Sequence, residues 1–275
     1  DDHFAWLKKN NSHVIGIQDV LDAMNGEKPL PPKAVILTFD DGYLSFYTRA
    51  MPLLKKYHYP ATLAVVGSWL EGKNTDGVKP LMSPEQIREA MATGLVEIAS
   101  HSYDLHHGIV ANPQGNELSA VTGRLYSSEY EEYEKDEDYR KRIFQAVEKS
   151  ADQLFQLLGI RPRVMVWPYG EYNAIALEAA KAAGMRLTMG LNDGANTLAD
   201  MGAMKRLMIT DDVNVKQFAE IVKNQRGHLP LRVAHVDMDY IYDEDEEQTG
   251  RNLNALLERI KASGAISTVE AIQCP

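Results

Sequence analysis

Short apolar segments alternate along the chain with segments of helical periodicity. The apolar segments are rich in β-branched residues, as buried strands are, and they occupy residues 35–41, 61–66, 96–99, 163–167, 186–189 and 204–209. Helical patterns occupy residues 46–58, 83–94, 140–158, 175–183 and 215–222. Residues 4–24 predict a helix, a short strand at 13–17 and a second helix. This alternation predicts an α/β fold built on a parallel sheet or barrel.

A break in the pattern falls at residues 225–230. Beyond it we predict a strand at 231–240, a helix at 252–262 with Gly264 as its C-cap, and a strand at 266–269. These elements either complete the first domain or open a second one. We favour the second interpretation, with a first domain at residues 1–228 and the start of another at 229–275.

Residues 108–142 lack a clear period. We predict an irregular stretch at 108–128, and the dense charges at 129–142 are typical of a solvated loop and the start of a helix.

Polar clusters follow three of the predicted strands. Asp40 and Asp41 end the first, the segment from His101 to His107 follows the third, and Pro168-Tyr169-Gly170 follows the fourth. Asp-Asp-Gly alone is ordinary turn or N-cap chemistry, and a single histidine is usually a hydrogen-bonded core residue. Together, however, these residues share the carboxyl edge of a parallel sheet, where α/β folds build their sites.

One carboxylate and two imidazoles form a sensible ligand set for a divalent metal. The spacing of His101 and His106 turns them apart on a regular helix, so both must lie on an irregular loop. If Asp41 joins them on a metal, Asp40 is left beside a bound water whose proton it can take. A backbone N–H of the Pro168-Tyr169-Gly170 turn can then stabilise an oxyanion, although a plain turn remains the alternative.

Composition excludes several other classes. The net charge of −10 and the isoelectric point near 5.3 argue against nucleic acid as a partner. The chain has one cysteine, Cys274, and no apolar run long enough to span a membrane. It carries no Gly-x-Ser-x-Gly elbow and no phosphate-binding glycine loop. It begins at Asp1 without a signal-like segment, so we expect a trimmed piece whose targeting information lies elsewhere.

The motifs resemble those of the NodB-type polysaccharide deacetylases of carbohydrate esterase family four. Thr38-Phe39-Asp40-Asp41-Gly42 is similar to their first motif, Ser100-His101-Ser102 through His106 to the second, and Trp167-Pro168-Tyr169-Gly170 to a remnant of the third. Residues 35–47, 67–69, 96–109, 166–173 and 235–243 further resemble the periplasmic branch that includes PgaB, HmsF and BpsB. Those proteins are poly-β-1,6-N-acetyl-D-glucosamine N-deacetylases.

The resemblance implies a distorted (β/α) barrel, with the start of a second, glycoside-hydrolase-like barrel at the C-terminus. It implies Asp40 as general base, Asp41, His101 and His106 as metal ligands, and the Tyr169 backbone as oxyanion donor. Trp167, Pro168 and Gly170 would then border the substrate. The metal would be zinc, nickel, cobalt or iron, and the substrate a β-1,6-linked N-acetylglucosamine polymer. Polysaccharide-export proteins are the implied partners, in the periplasm or at the outer membrane.

The sequence also departs from the family pattern. Four residues separate the two histidines instead of three, and Val166 stands where an arginine commonly pairs with the base. The acidic/Trp fourth motif is not visible, and neither His3 nor His13 matches the general acid, which we leave unassigned. We therefore expect slow catalysis. Two rivals stay open: a carbohydrate-binding domain with a vestigial metal site, and a glycosidase-type site near Asp237 and Asp239.

Overall fold

The computed structural model describes residues 1–210 and 212–223 in full, and the backbone of residues 231–236. The chain divides into two compact units, residues 1–237 and 238–275, and the described residues all belong to the first. None of the described helices is long and apolar enough to cross a lipid bilayer.

Strands and helices alternate through most of this unit. The strands are β1 (His13–Val14), β2 (Ala34–Phe39), β3 (Ala61–Val65), β4 (Val96–Ser100), β5 (Gly108–Val110), β6 (Glu117–Ser119), β7 (Tyr126–Ser127), β8 (Glu132–Tyr133), β9 (Val164–Val166), β10 (Leu187–Met189), β11 (Leu207–Ile209) and β12 (Leu231–Val236). The α-helices are α1 (Asp2–Lys9), α2 (Ile17–Met24), α3 (Met51–Tyr57), α4 (Gly67–Leu70), α5 (Pro84–Ala92), α6 (Asp136–Leu158), α7 (Ala174–Ala182) and α8 (Val215–Lys223). A π-helical turn, Phe46–Ala50, precedes α3, and 3₁₀ turns lie at Pro168–Gly170 and Leu198–Asp200.

Eight of these strands form one parallel sheet. Its order is β10-β9-β4-β3-β2-β12-β11, and β1 pairs with the first residues of β2. A parallel bridge between Met189 and Met204 links β10 to the segment that leads into β11. The two ends of the sheet are thereby drawn together, and the sheet curls. This curled parallel sheet with its helices confirms the predicted distorted (β/α) barrel.

The sequence of β2 shows why this sheet forms. All of its side chains are buried, which is typical of a parallel strand covered on both faces. Successive side chains point to opposite faces. Accordingly Ile36 packs in one apolar cluster with residues of β9 and β10. Val35 and Leu37 pack in a second cluster that lies against α3 and α5.

The segment without a clear period contains more structure than predicted. Residues 108–128, expected to be irregular, hold the antiparallel hairpin β5–β6 and the first strand of the hairpin β7–β8. Strands of two or three residues are too short to produce a period in the sequence. Helix α6 begins at Asp136 inside the charged run and ends at Leu158, and the following Gly159, with a φ of 76°, is its left-handed C-cap.

Of the elements predicted after residue 230, only the first strand is described, as the backbone of β12. Strand β12 pairs in parallel with β2 and β11. The predicted helix at 252–262, the strand at 266–269 and the acidic pair Asp237 and Asp239 lie outside the described residues. A domain boundary near residue 228 therefore stays a prediction.

Candidate active site

The turn after β2 carries the two adjacent carboxylates. Asp41 and Gly42 both adopt left-handed backbone, with φ of 73° and 77°, and the N–H of Gly42 donates to the carbonyl of Asp40 at 2.9 Å. A side chain at Gly42 would bring its Cβ within 3.1 Å of Val65. A left-handed aspartate is uncommon, and such strain is concentrated at functional sites.

The loop after β4 presents the two histidines, and it is irregular as predicted. Ser102 is left-handed, with a φ of 69°, and its hydroxyl accepts the N–H of Leu105 at 3.1 Å. His101 is buried, and its Nδ1 donates to the carbonyl of Val166 at 2.7 Å. That bond fixes the neutral tautomer whose Nε2 lone pair faces away from Val166.

Both imidazoles converge on Asp41. The Nε2 atoms of His101 and His106 lie 3.4 and 3.3 Å from its Oδ1. The imidazole of His106 lies between two aromatic rings, with centroid distances of 5.0 Å to Trp69 and 4.6 Å to Tyr169. These contacts fix the orientation of the more exposed of the two histidines.

The electrostatics of this cluster favour a cation. Burial lowers the pKa of His101, against the opposing effect of Asp40. Burial and the neighbouring His101 lower the pKa of His106 to about 3. Nε2 of the neutral His101 therefore points its lone pair at a carboxylate, an arrangement that is repulsive until a positive ion joins it. One ligand atom from each of Asp41, His101 and His106 lies within 4.8 Å of the others, so this donor set fits a divalent metal.

Asp40 has a partner that the sequence did not reveal. Arg206 is fully buried. Its Nη1 lies 2.9 and 3.1 Å from the two carboxylate oxygens of Asp40, and its Nη2 donates at 3.1 Å. Its Nε donates to the carbonyl of Gly190 at 2.8 Å, and Nη1 also reaches the hydroxyl of Thr38 at 3.3 Å.

This pair corrects the expectation that the base lacks an arginine. Val166 does occupy the position where the family's arginine was sought, but a guanidinium arrives from the segment before β11 instead. Slow catalysis was expected partly because this arginine was missing, and that reason no longer holds. The two charged residues within the apolar segment 204–209, Lys205 and Arg206, were the available signal.

The third cluster lies beside His106. Tyr169 is left-handed, with a φ of 56°, and Gly170 follows with a φ of 70°. A Cβ at Gly170 would lie 2.6 Å from the backbone nitrogen of Leu191. Pro168 and Trp167 are buried, and Trp167 has no exposed surface. In this arrangement Trp167 packs in the core and offers no surface to a substrate, whereas Tyr169 and Gly170 remain partly exposed.

The remaining histidines considered for catalysis make other contacts. His3 stacks on Phe218 at 4.5 Å, and Nδ1 of His13 bonds the carbonyl of Pro32. His107 is exposed and bonds the carbonyl of Gly108.

The described part of the chain is thus a curled parallel sheet with an aspartate pair and two histidines at its carboxyl edge. The family model described as polysaccharide deacetylase matches residues 27–188. A second model, described as hypothetical glycosyl hydrolase family 13, matches residues 235–271. The chain belongs to the polysaccharide deacetylase family.

Individual relatives agree with this assignment. The chain is 38% identical to a poly-β-1,6-N-acetyl-D-glucosamine N-deacetylase of Escherichia coli K12, over 98% of this chain and 41% of that protein. It thus spans less than half the length of that curated relative. A solved de-N-acetylase from Aggregatibacter actinomycetemcomitans is 38% identical, with a TM-score of 0.74 over 80% of this chain and 87% of the other. The BpsB deacetylase domain from Bordetella bronchiseptica is 33% identical, with a TM-score of 0.71 over 86% and 85%.

Proposed function

We propose that this chain is a metal-dependent N-deacetylase that hydrolyses acetamido groups of poly-β-1,6-N-acetyl-D-glucosamine and releases acetate. The observation that carries the proposal is the cluster of Asp41, His101 and His106 next to the Asp40–Arg206 pair. The names of the relatives from Escherichia coli and Bordetella bronchiseptica support the substrate and the reaction.

The roles of the chain's own groups follow from their contacts. Asp41, His101 and His106 would hold a divalent ion, with zinc, nickel, cobalt or iron all compatible with this donor set. When bound, the ion supplies positive charge that acidifies a water and polarises the amide oxygen. Asp40 takes the proton of the attacking water, since it is the carboxylate outside the ligand cluster. Arg206 pairs with the carboxylate of Asp40 and fixes its direction through two nitrogens.

The third strand end completes the assignment. The backbone N–H of Tyr169 donates to the oxygen that becomes negative when water adds to the carbonyl. The C–N bond then breaks, the proton that Asp40 took from the water passes to the departing nitrogen, acetate leaves, and the sugar nitrogen becomes a free amine. Gly170 borders the substrate and allows the tight turn on which Tyr169 sits.

The wider setting is part of the same proposal. A polysaccharide that is exported and then deacetylated requires an envelope location, periplasmic or at the outer membrane, with export proteins as partners. The match of residues 235–271 to a glycosyl hydrolase model supports a second domain in the C-terminal part of the chain.

Acetate release from β-1,6-linked N-acetylglucosamine oligomers tests this function. The metal-loaded protein should release acetate, and Asp40→Asn should lower kcat by about 10²-fold or more while the metal stays bound. Release no faster than that of the chelated protein would refute the proposal. Oligomer binding without acetate release would favour the carbohydrate-binding alternative, and shortened oligomers with intact acetyl groups the glycosidase alternative.

A further inference from the structure

Asn196 is a fully buried polar residue in the loop between β10 and the segment that carries Arg206. Its Nδ2 donates to the carbonyl of Lys205 at 2.9 Å, and its Oδ1 accepts the N–H of the same residue at 2.8 Å. The side-chain amide thus binds both polar groups of one peptide residue. Only one orientation of the amide satisfies both bonds.

The residue that Asn196 binds lies at a gap in the strand pairing. Met204 pairs with Met189 on one side of this gap, and β11 begins at Leu207 on the other. Between them, the N–H of Arg206 donates to the carbonyl of Asn192 at 3.1 Å. The amide of Asn196 therefore replaces the ladder bonds that a neighbouring strand would have made to Lys205.

The backbone held in this way determines where the guanidinium of Arg206 lies. Three contacts of 2.9 to 3.1 Å join it to Asp40, and a bidentate pair tolerates little displacement. A shift of about 1 Å in a positioned group is enough to lower a rate by about 10²-fold.

We propose that Asn196 is a positioning residue, which fixes the backbone at Lys205 so that Arg206 meets Asp40 in bidentate geometry. The inference rests on the proposed function, because it assigns Asn196 to the support of the base. Asn196 itself touches neither substrate nor metal ligand in this assignment.

A double-mutant cycle between Asn196→Ala and Arg206→Met tests the proposal. In acetate release, N196A should lower kcat at least about tenfold with KM little changed. In the R206M background the same change should lower kcat no further, since the group that Asn196 positions is gone. A residue that only stabilises the fold would lower activity by the same factor in both backgrounds.

Thr197→Ala provides the matched control. The Thr197 hydroxyl accepts the N–H of Ala199 at 3.2 Å and donates to Asp200 at 2.8 Å, within the adjacent 3₁₀ turn. T197A removes the side-chain bonds of a partly buried residue next to Asn196 and leaves both bonds between Asn196 and Lys205 in place, so its kcat should stay within about twofold of wild type. If N196A and T197A lower kcat equally, the proposal is overturned.

Urea unfolding of the same variants keeps the proposal separate from the proposed function. The positioning role is supported, even if wild type releases no acetate, when the unfolding equilibrium constant of the double variant differs by about fivefold or more from the product of the two single effects. Additive effects overturn it. If N196A does not fold, Asn196→Ser, which keeps a polar side chain beside the N–H of Lys205, replaces it. If R206M does not fold, Arg206→Gln, which is polar but carries no cation for Asp40, replaces that variant.

Discussion

Removal of Arg206 should expose the energetics of the base most clearly. The guanidinium is fully buried and the Asp40 side chain is 10% exposed, so Arg206→Met leaves a nearly dehydrated carboxylate without its cation. Breaking a buried ion pair in this way costs about 3–5 kcal/mol of stability. Replacing both partners is far less costly, and we expect Asp40→Asn with R206M to be more stable than R206M alone. Arg206→Lys keeps the charge but loses the bidentate contact, and should fall between.

Two assays check these values. Urea unfolding of the chelated protein at about pH 7 gives the stability differences, and acetate release gives kcat, which should fall by about 10²-fold or more in R206M. A stability loss below about 1 kcal/mol in R206M, or a double variant that loses the sum of the single effects, would refute the buried pair.

Three further outcomes follow from the geometry. Burial lowers the pKa of His106 to about 3, so the unfolded chain takes up a proton at a higher pH than the folded chain, and the chelated protein should lose about 2 kcal/mol of stability between pH 7 and 5. In urea titrations the stability of His106→Gln should fall by about 2 kcal/mol less over this range, and an equal fall in both proteins would contradict the argument. His101→Ala should weaken metal binding about 10²-fold or more by competition titration, whereas the exposed His107→Ala should not change it; equal losses would remove His101 from the ligand set. In thermal unfolding, Gly170→Ala should destabilise the protein by about 1–3 kcal/mol more than Gly184→Ala, since both glycines have positive φ but only Gly170 lacks room for a Cβ. Equal effects would show that Leu191 moves aside without cost.

The parts of the fold that the sequence predicted are those with local causes. The continuous apolar run of β2 and the caps of the helices act over a few residues, so their pattern is visible without the structure. The same reasoning located Asp41, His101 and His106, because residues that end parallel strands share one edge of the sheet.

The parts that were missed depend on contacts between distant segments. Arg206 and Asp40 are 166 residues apart, and no local rule connects a charge before β11 with a carboxylate after β2. The left-handed backbone of Asp41 was not predicted either, since a positive φ is uncommon at a residue other than glycine. Trp167 follows a strand like the site residues, but the apolar cluster that covers it includes side chains of α6 and α7, which are distant in sequence.

The most direct test of the account is the position of a bound metal in crystals soaked with cobalt or zinc. The anomalous peak should lie about 2.0–2.2 Å from a carboxylate oxygen of Asp41 and from Nε2 of His101 and His106. Asp40 should remain outside the coordination shell and paired with Arg206. A peak elsewhere, or a metal held by Asp40 in place of Asp41, would contradict the division of the two carboxylates into ligand and base.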